Sequence, residues 1–254
     1  MRHKIMKFHT QIFTILILAI LVATVASTSA QHYNGAKNKQ ITSLKFSNIM
    51  NNPVTPWNPE PIYPVIDPTA YIHPQASVIG NVMIGANVMV SPMVSIRGDE
   101  EMPVFIGKDS NVQDGVVIHG PETTDEQGKP VEKHLVDVNG KKYSVYVGEN
   151  VTLAHQSMVH GPAYVGNDTF IGFQTLVFKA KVGNNCVLEP KSAAIGVTIS
   201  DNKYIPAGML VTSQTDADEL PIITEDFAYK HTNEAVVHVN TNLAKGYNIA
   251  AESV

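Results

Sequence analysis

The chain has 254 residues, 44% of them hydrophobic, and its 18 Lys and Arg against 23 Asp and Glu give a formal net charge of −5. The acidic balance argues against nucleic acid as a partner, because such binding rests on Lys and Arg neutralising phosphates. A single cysteine, Cys186, excludes an intrachain disulfide, so stability must come from the core and from subunit association.

Residues 1–30 read as a cleavable signal peptide. Arg2, Lys4 and Lys7 precede the uncharged apolar run from Ile12 to Ala26, and Thr28 and Ala30 supply small residues for cleavage near Ala30. An uncleaved anchor is the alternative, although the run is shorter than the ~20 apolar residues of a spanning helix. Cleavage leaves 15 Lys and Arg against 23 Asp and Glu, a net charge of about −8. The mature chain is then expected to be secreted or held in the cell envelope, free of the membrane. Residues 31–63 form a polar, Pro-rich lead-in whose second part, with Trp57-Asn58-Pro59-Glu60-Pro61, should be extended. Trp57 is expected to pack against the coils that follow.

From 64 to 212 an aliphatic residue returns every sixth position. The series runs Ile72, Val78, Ile84, Val90, Ile96, resumes at Ile106, Val112, Ile118, and again at Val147, Leu153, Val159, Val165, Ile171, Val177, then steps to Val182 and Leu188. Gly follows the aliphatic position at Gly85, Gly107, Gly148, Gly166, Gly172 and Gly183, where a turning chain is expected to need unusual backbone angles. Each hexad is one short strand and a corner, and three of them make a triangular coil of about 18 residues. The period therefore predicts a parallel β-helix. Cys186, four residues after Val182, falls at an inward position and reads as core.

Two stretches interrupt the period. One is Arg97-Gly98-Asp99-Glu100-Glu101. The other, at about 120–144, carries Glu122, Asp125, Glu126, Glu132 and Asp137 and reads as a loop or hairpin ejected from the coils. In the C-terminal segment, 213–254, Val236, Val239, Leu243 and Tyr247 follow helical spacing, which predicts an α-helix from Glu225 to Tyr247 along one face, with Thr224 at its start.

Three histidines stand out against this frame. His119 follows Ile118 and His160 follows Val159, so both take the same outward hexad position. The 41 residues separating them equal one coil plus an insertion of about 23, which would stack the two rings about 4.8 Å apart on one face. His155 lies two residues after Leu153, on the preceding face, and should point around a corner. A cyclic trimer would unite the three, because one face of each subunit meets a different face of its neighbour. Three neutral imidazoles suit Zn²⁺, Fe²⁺ or Co²⁺ and leave a position open for water. The other seven histidines, among them His32, His73, His134 and His231, show no such spacing and are expected to be solvated.

The stretch Val54-Thr55-Pro56-Trp57-Asn58-Pro59-Glu60, the run Ser95 to Glu100, Ser110-Asn111-Val112-Gln113-Asp114-Gly115 leading to His119, and Leu153-Ala154-His155-Gln156-Ser157-Met158-Val159-His160-Gly161-Pro162 together resemble the gamma-class carbonic anhydrases, most of all those of archaeal methanogens. The resemblance covers nearly the whole chain after residue 47. It implies a left-handed β-helix, a homotrimer, and one metal per subunit, zinc with iron or cobalt as alternatives, held by His119 and His160 of one subunit and His155 of the next. It implies hydration of CO2 to bicarbonate, with Glu100 as the inner proton acceptor and Glu122 as the outward shuttle. Gln113, six residues before His119 at the same hexad position, is implied to reach the reacting group across the interface, with Asn111 assisting. Asn240 is implied to orient CO2 or bicarbonate, and Arg97 to contribute to substrate binding. Arg97, Asp99 and Asp114 read equally well as an ion-pair network across the trimer interface, with Arg97 and Asp114 as the expected pair.

The sequence departs from that pattern at His238, where the resemblance leads one to expect an aromatic hydroxyl, and at Gly98 and Met158, which replace more polar residues near the site. Two other function classes share parts of the pattern. Hexapeptide acyltransferases have the same coils with a lone histidine base, and some relatives are metal-bearing scaffolds without activity.

Overall fold

The computed structural model describes residues 48–252. The expected signal peptide and cleavage site, His32 and the lead-in up to residue 47 lie outside the described residues. Among those described, no helix is long and apolar enough to cross a membrane.

The chain winds as a left-handed parallel β-helix of three sheets, one eight-stranded and two seven-stranded. Successive strands visit the three faces in turn, and every strand of a face pairs in parallel with the one a coil earlier. Ile96, Ile118, Val159 and Val177 form one inward column in register on the first face. Ile106, Val147 and Val165 form the column of the second face, and Val112, Leu153 and Ile171 that of the third. All ten are fully buried. The aliphatic period is thus the core itself, because only one outward and one inward side chain fit each two- or three-residue strand. Cys186 is buried in the same core, and burial pushes its thiol up to about 11. A hole cut under the histidine strand should be costly. Ile118→Ala is expected to destabilise the protein by about 2–5 kcal/mol, read from the denaturant midpoint, whereas the loop substitution Glu126→Ala should change it by less than about 0.5 kcal/mol.

The hexad glycines serve a purpose different from the one the repeat suggests. None of Gly85, Gly107, Gly148, Gly166, Gly172 and Gly183 has a positive φ. Each lies against the next coil instead: a Cβ on Gly107 would sit 2.5 Å from the Gly148 carbonyl oxygen, and one on Gly172 would sit 2.5 Å from that of Leu188. The left-handed corner positions are filled largely by Asn and Asp, at Asn87, Asp109, Asn150, Asp168, Asn185 and Asn202 with φ between 51° and 59°, residues that tolerate this conformation. Their amides bond along the corner, Asn87 to Asp109 at 2.9 Å and Asn150 to Asp168 at 3.0 Å.

The acidic insertion holds a 3-10 turn, Glu132–His134, and an antiparallel hairpin of Val136–Val138 with Lys141–Tyr143. Tyr143 docks it on the second face against Phe105 and Tyr146, at ring separations of 5.8 and 5.2 Å. The chain closes with a short helix α1 (Gln214–Asp218), capped by Ser213, and a long helix α2 (Thr232–Glu252). Helix α2 begins seven residues later than Glu225, because the preceding segment is used for packing. Phe227 stacks on Tyr204 at 4.3 Å and joins Ala154, Phe170 and Val187 on the third face. The inward side of α2 is Asn233, Asn240 and Ala244, which leaves Val239 and Leu243 on an exposed flank and Tyr247 stacked on Tyr71 at 4.7 Å.

Candidate functional site

His119 ends the strand Val117–His119 and His160 ends Met158–His160, and the two residues are direct register partners. With Ile118 and Val159 turned into the core, strand alternation turns both imidazoles outward. Their ring centroids are 5.4 Å apart at 79°. His160 Nδ1 lies 3.1 Å from the Gly161 carbonyl. A carbonyl can only accept, so Nδ1 carries the proton and Nε2 keeps its lone pair for a metal.

The first break in the repeat folds over this pair. His119 Nε2 is 3.1 Å from an Arg97 guanidinium nitrogen and 3.5 Å from both Asp99 Oδ1 and Glu100 Oε1. Arg97 Nε donates to Asp99 Oδ2 at 3.0 Å, and Asp99 Oδ1 is buried without a hydrogen-bond partner. Burial raises the Asp99 carboxyl, but the bonds to His119 and Arg97 outweigh it and leave the pKa lowered. Bonds to Asp99 and Glu100 raise the His119 pKa. Burial lowers that of His160, toward the neutral form that binds metals. Among the described residues, Asp99, Glu100 and His119 present ligand atoms within 4.8 Å of one another, a donor set that fits a divalent cation.

His155 is elsewhere. It sits at the corner after Thr152–Leu153, 52% exposed, with Nδ1 3.0 Å from Asp114 Oδ2 and its ring stacked on Phe173 at 5.6 Å. It lines a cavity of about 550 Å³ between the third face and α2, together with Gln113, Phe170, Phe173, Val236 and Asn240. Gln113 is buried there: its amide donates to Asn111 Oδ1 at 3.0 Å, and Asn111 in turn donates to Thr152 Oγ1 at 3.0 Å. Asn240 faces inward rather than standing on the helix surface, donating to the Val236 carbonyl at 2.9 Å. The structure therefore gathers Arg97, Asp99, Glu100, His119 and His160 at one place, and Asn111, Gln113, Asp114, His155 and Asn240 at another. Within one chain Arg97 pairs with Asp99 and Asp114 with His155.

The acidic insertion brings Glu122 out to solvent, its side chain 55% exposed. Sequence reasoning missed what holds it. Glu101 accepts from the hydroxyls of Thr123, at 3.1 Å, and Thr124, and Thr123 Oγ1 also accepts from the Met102 amide at 2.9 Å. His134 is not solvated as expected; its Nδ1 bonds the Glu122 carbonyl at 2.6 Å. The signal available in the sequence was the Thr-Thr pair directly after Glu122.

The departures have local explanations. A Cβ on Gly98 would lie 2.2 Å from the Asn81 carbonyl oxygen, so this backbone admits only glycine. Gly98→Ser should lower stability by about 1–3 kcal/mol, visible as a fall in Tm. His238 lines a separate groove with His231 and Asp168, away from the cavity of Asn240. Met158 is outward on the histidine face, beside Leu176.

No family profile matches the sequence. The chain is 66% identical over 245 residues to a carbonic anhydrase of Methanosarcina thermophila, covering 95% of this chain and 98% of that protein. It is 42% identical over 204 residues to a carboxysome assembly protein, CcmM, of a Nostoc species, covering 79% of this chain and 34% of that one. Among solved structures, a hexapeptide transferase family protein from Anaplasma phagocytophilum superposes with a TM-score of 0.55 at 22% identity over 73% of this chain and 93% of the other. That last likeness speaks to the fold alone.

Proposed function

The chain belongs to the gamma-class carbonic anhydrases, and from that premise we propose how its residues interconvert CO2 and bicarbonate. The metal is held by His119 and His160 of one subunit and the partner subunit's His155, in a cyclic homotrimer. The supporting observation is the separation within one chain: two imidazoles in register beside Glu100, and the third beside a cavity that holds Gln113 and Asn240 but neither carboxylate of the proton path. The donors suit zinc, with iron or cobalt as alternatives.

When bound by three neutral imidazoles the metal acidifies water to a pKa of about 7, a value established on carbonic anhydrase zinc itself. The rest is done by the chain's own side chains. Phe170, Phe173, Val187 and Val236 give CO2 an apolar cavity beside His155. One N–H of the Gln113 amide donates to Asn111 and fixes the side chain, and its carbonyl oxygen serves as the acceptor that orients the attacking hydroxyl. Asn240 orients the product, and Arg97, paired with Asp99, offers it positive charge. Glu100 takes the proton lost by each new water, and Glu122 carries it outward. Residues 1–30 act as a leader that places the mature enzyme outside the cytoplasm, which N-terminal sequencing of the mature protein tests.

Stopped-flow CO2 hydration by the purified trimer, with metal quantified, tests the assignment. Fast hydration lost on metal removal and regained on reloading is expected. An uncatalysed rate with one metal per subunit would identify a scaffold instead.

A further inference from the structure

We propose that His134 is a positioning residue for Glu122 and controls where that carboxylate gives up its proton. The inference rests on the assignment of Glu122 as the outward carrier. His134 ends the 3-10 turn of the acidic insertion with its side chain only 14% exposed. Its Nδ1 lies 2.6 Å from the Glu122 carbonyl oxygen and 3.9 Å from Glu122 Oε1. Since the carbonyl can only accept, Nδ1 bears the proton and Nε2 is the basic nitrogen. On the other side, Thr123 and Thr124 are pinned by Glu101. The backbone of Glu122 is thus fixed from both sides while its side chain remains free to move.

Glu122 is the carboxylate within ion-pair reach of His134, at 3.9 Å, while Glu132 on the same turn is engaged by Lys142. The bond from Nδ1 anchors the backbone at Glu122, so the carboxylate turns between Glu100 and solvent about a fixed point and passes its proton to water or buffer there.

The test uses one readout that depends on turnover and one that does not. Imidazole ¹⁵N NMR of the metal-free protein should show His134 as the Nδ1–H tautomer. In CO2 hydration at low buffer, His134→Ala should lower kcat about 10-fold, because misplacing a relay group costs one to two orders of magnitude. The ratio kcat/KM should stay unchanged, and imidazole buffer should restore kcat. His134→Asn keeps an N–H donor, so it should recover kcat where His134→Ala does not. An Nε2–H tautomer, an unchanged kcat in His134→Ala, kcat and kcat/KM falling together, or no recovery in His134→Asn would overturn the proposal. A wild-type kcat in Glu122→Gln, with the expected NMR behaviour, would overturn the carrier assignment and the kinetic role with it, while showing the contact itself to be sound.

Discussion

His155→Ala should abolish CO2 hydration and metal retention together while leaving the solenoid folded. The side chain is half exposed at a corner, and its contacts are Asp114 and Phe173 rather than the aliphatic columns, so its loss should change stability by no more than about 0.5 kcal/mol, as for other surface substitutions. Metal affinity should fall more than about 100-fold, since removing even a residue that merely supports a ligand costs 10–100-fold. The decisive form of the experiment mixes subunits. His155→Ala keeps the His119–His160 pair, and His160→Ala keeps His155, so each homotrimer is dead. A ring containing both has one boundary with all three histidines intact. Random co-assembly in equal amounts should recover about one quarter of wild-type activity and metal content, because about three quarters of trimers are mixed and each carries one working site of three. A site confined to one subunit would recover nothing.

Glu122→Ala should separate the two halves of the reaction. Its side chain is 55% exposed and lies 3.9 Å from His134, and it is not among the residues lining the apolar cavity proposed for CO2. The interconversion step, read by kcat/KM, should remain within about 3-fold of wild type. Turnover at low buffer should drop about 100-fold, the size of a lost general acid–base relay, and imidazole buffer should rescue it. Glu100→Ala should behave differently. Glu100 Oε1 is 3.5 Å from His119 Nε2, so its removal disturbs a proposed ligand as well as the relay, and buffer should rescue it only in part. Equal losses of kcat and kcat/KM in Glu122→Ala would remove the shuttle assignment.

The six-residue period carried the coils, their core columns and the stacking of His119 on His160, because a strand of two or three residues leaves each side chain only an inward or an outward choice. The same logic placed His155 around a corner from them. The period said less about why glycines punctuate it. Their role depends on the distance to the next coil, a property of residues about 18 positions away, and the corners are turned by Asn and Asp side chains that the aliphatic pattern does not register. The start of α2 also escaped it, since Thr224-Glu225-Asp226 looks like a good N-terminus and only the docking of Phe227 on Tyr204 delays the helix to Thr232.

Local chemistry in the sequence therefore determined the architecture and the register of His119 with His160, because periodicity and residue identity are short-range properties that a repeating fold converts directly into position. What only the tertiary structure decided is the setting of each polar group: Arg97 with Asp99, Asp114 with His155, Gln113 buried behind Asn111, and the acidic insertion held by Glu101 and His134. The last of these depends on how the acidic insertion folds back on the coils, and hydrogen bonds across 12 to 23 residues of irregular chain leave no periodic trace.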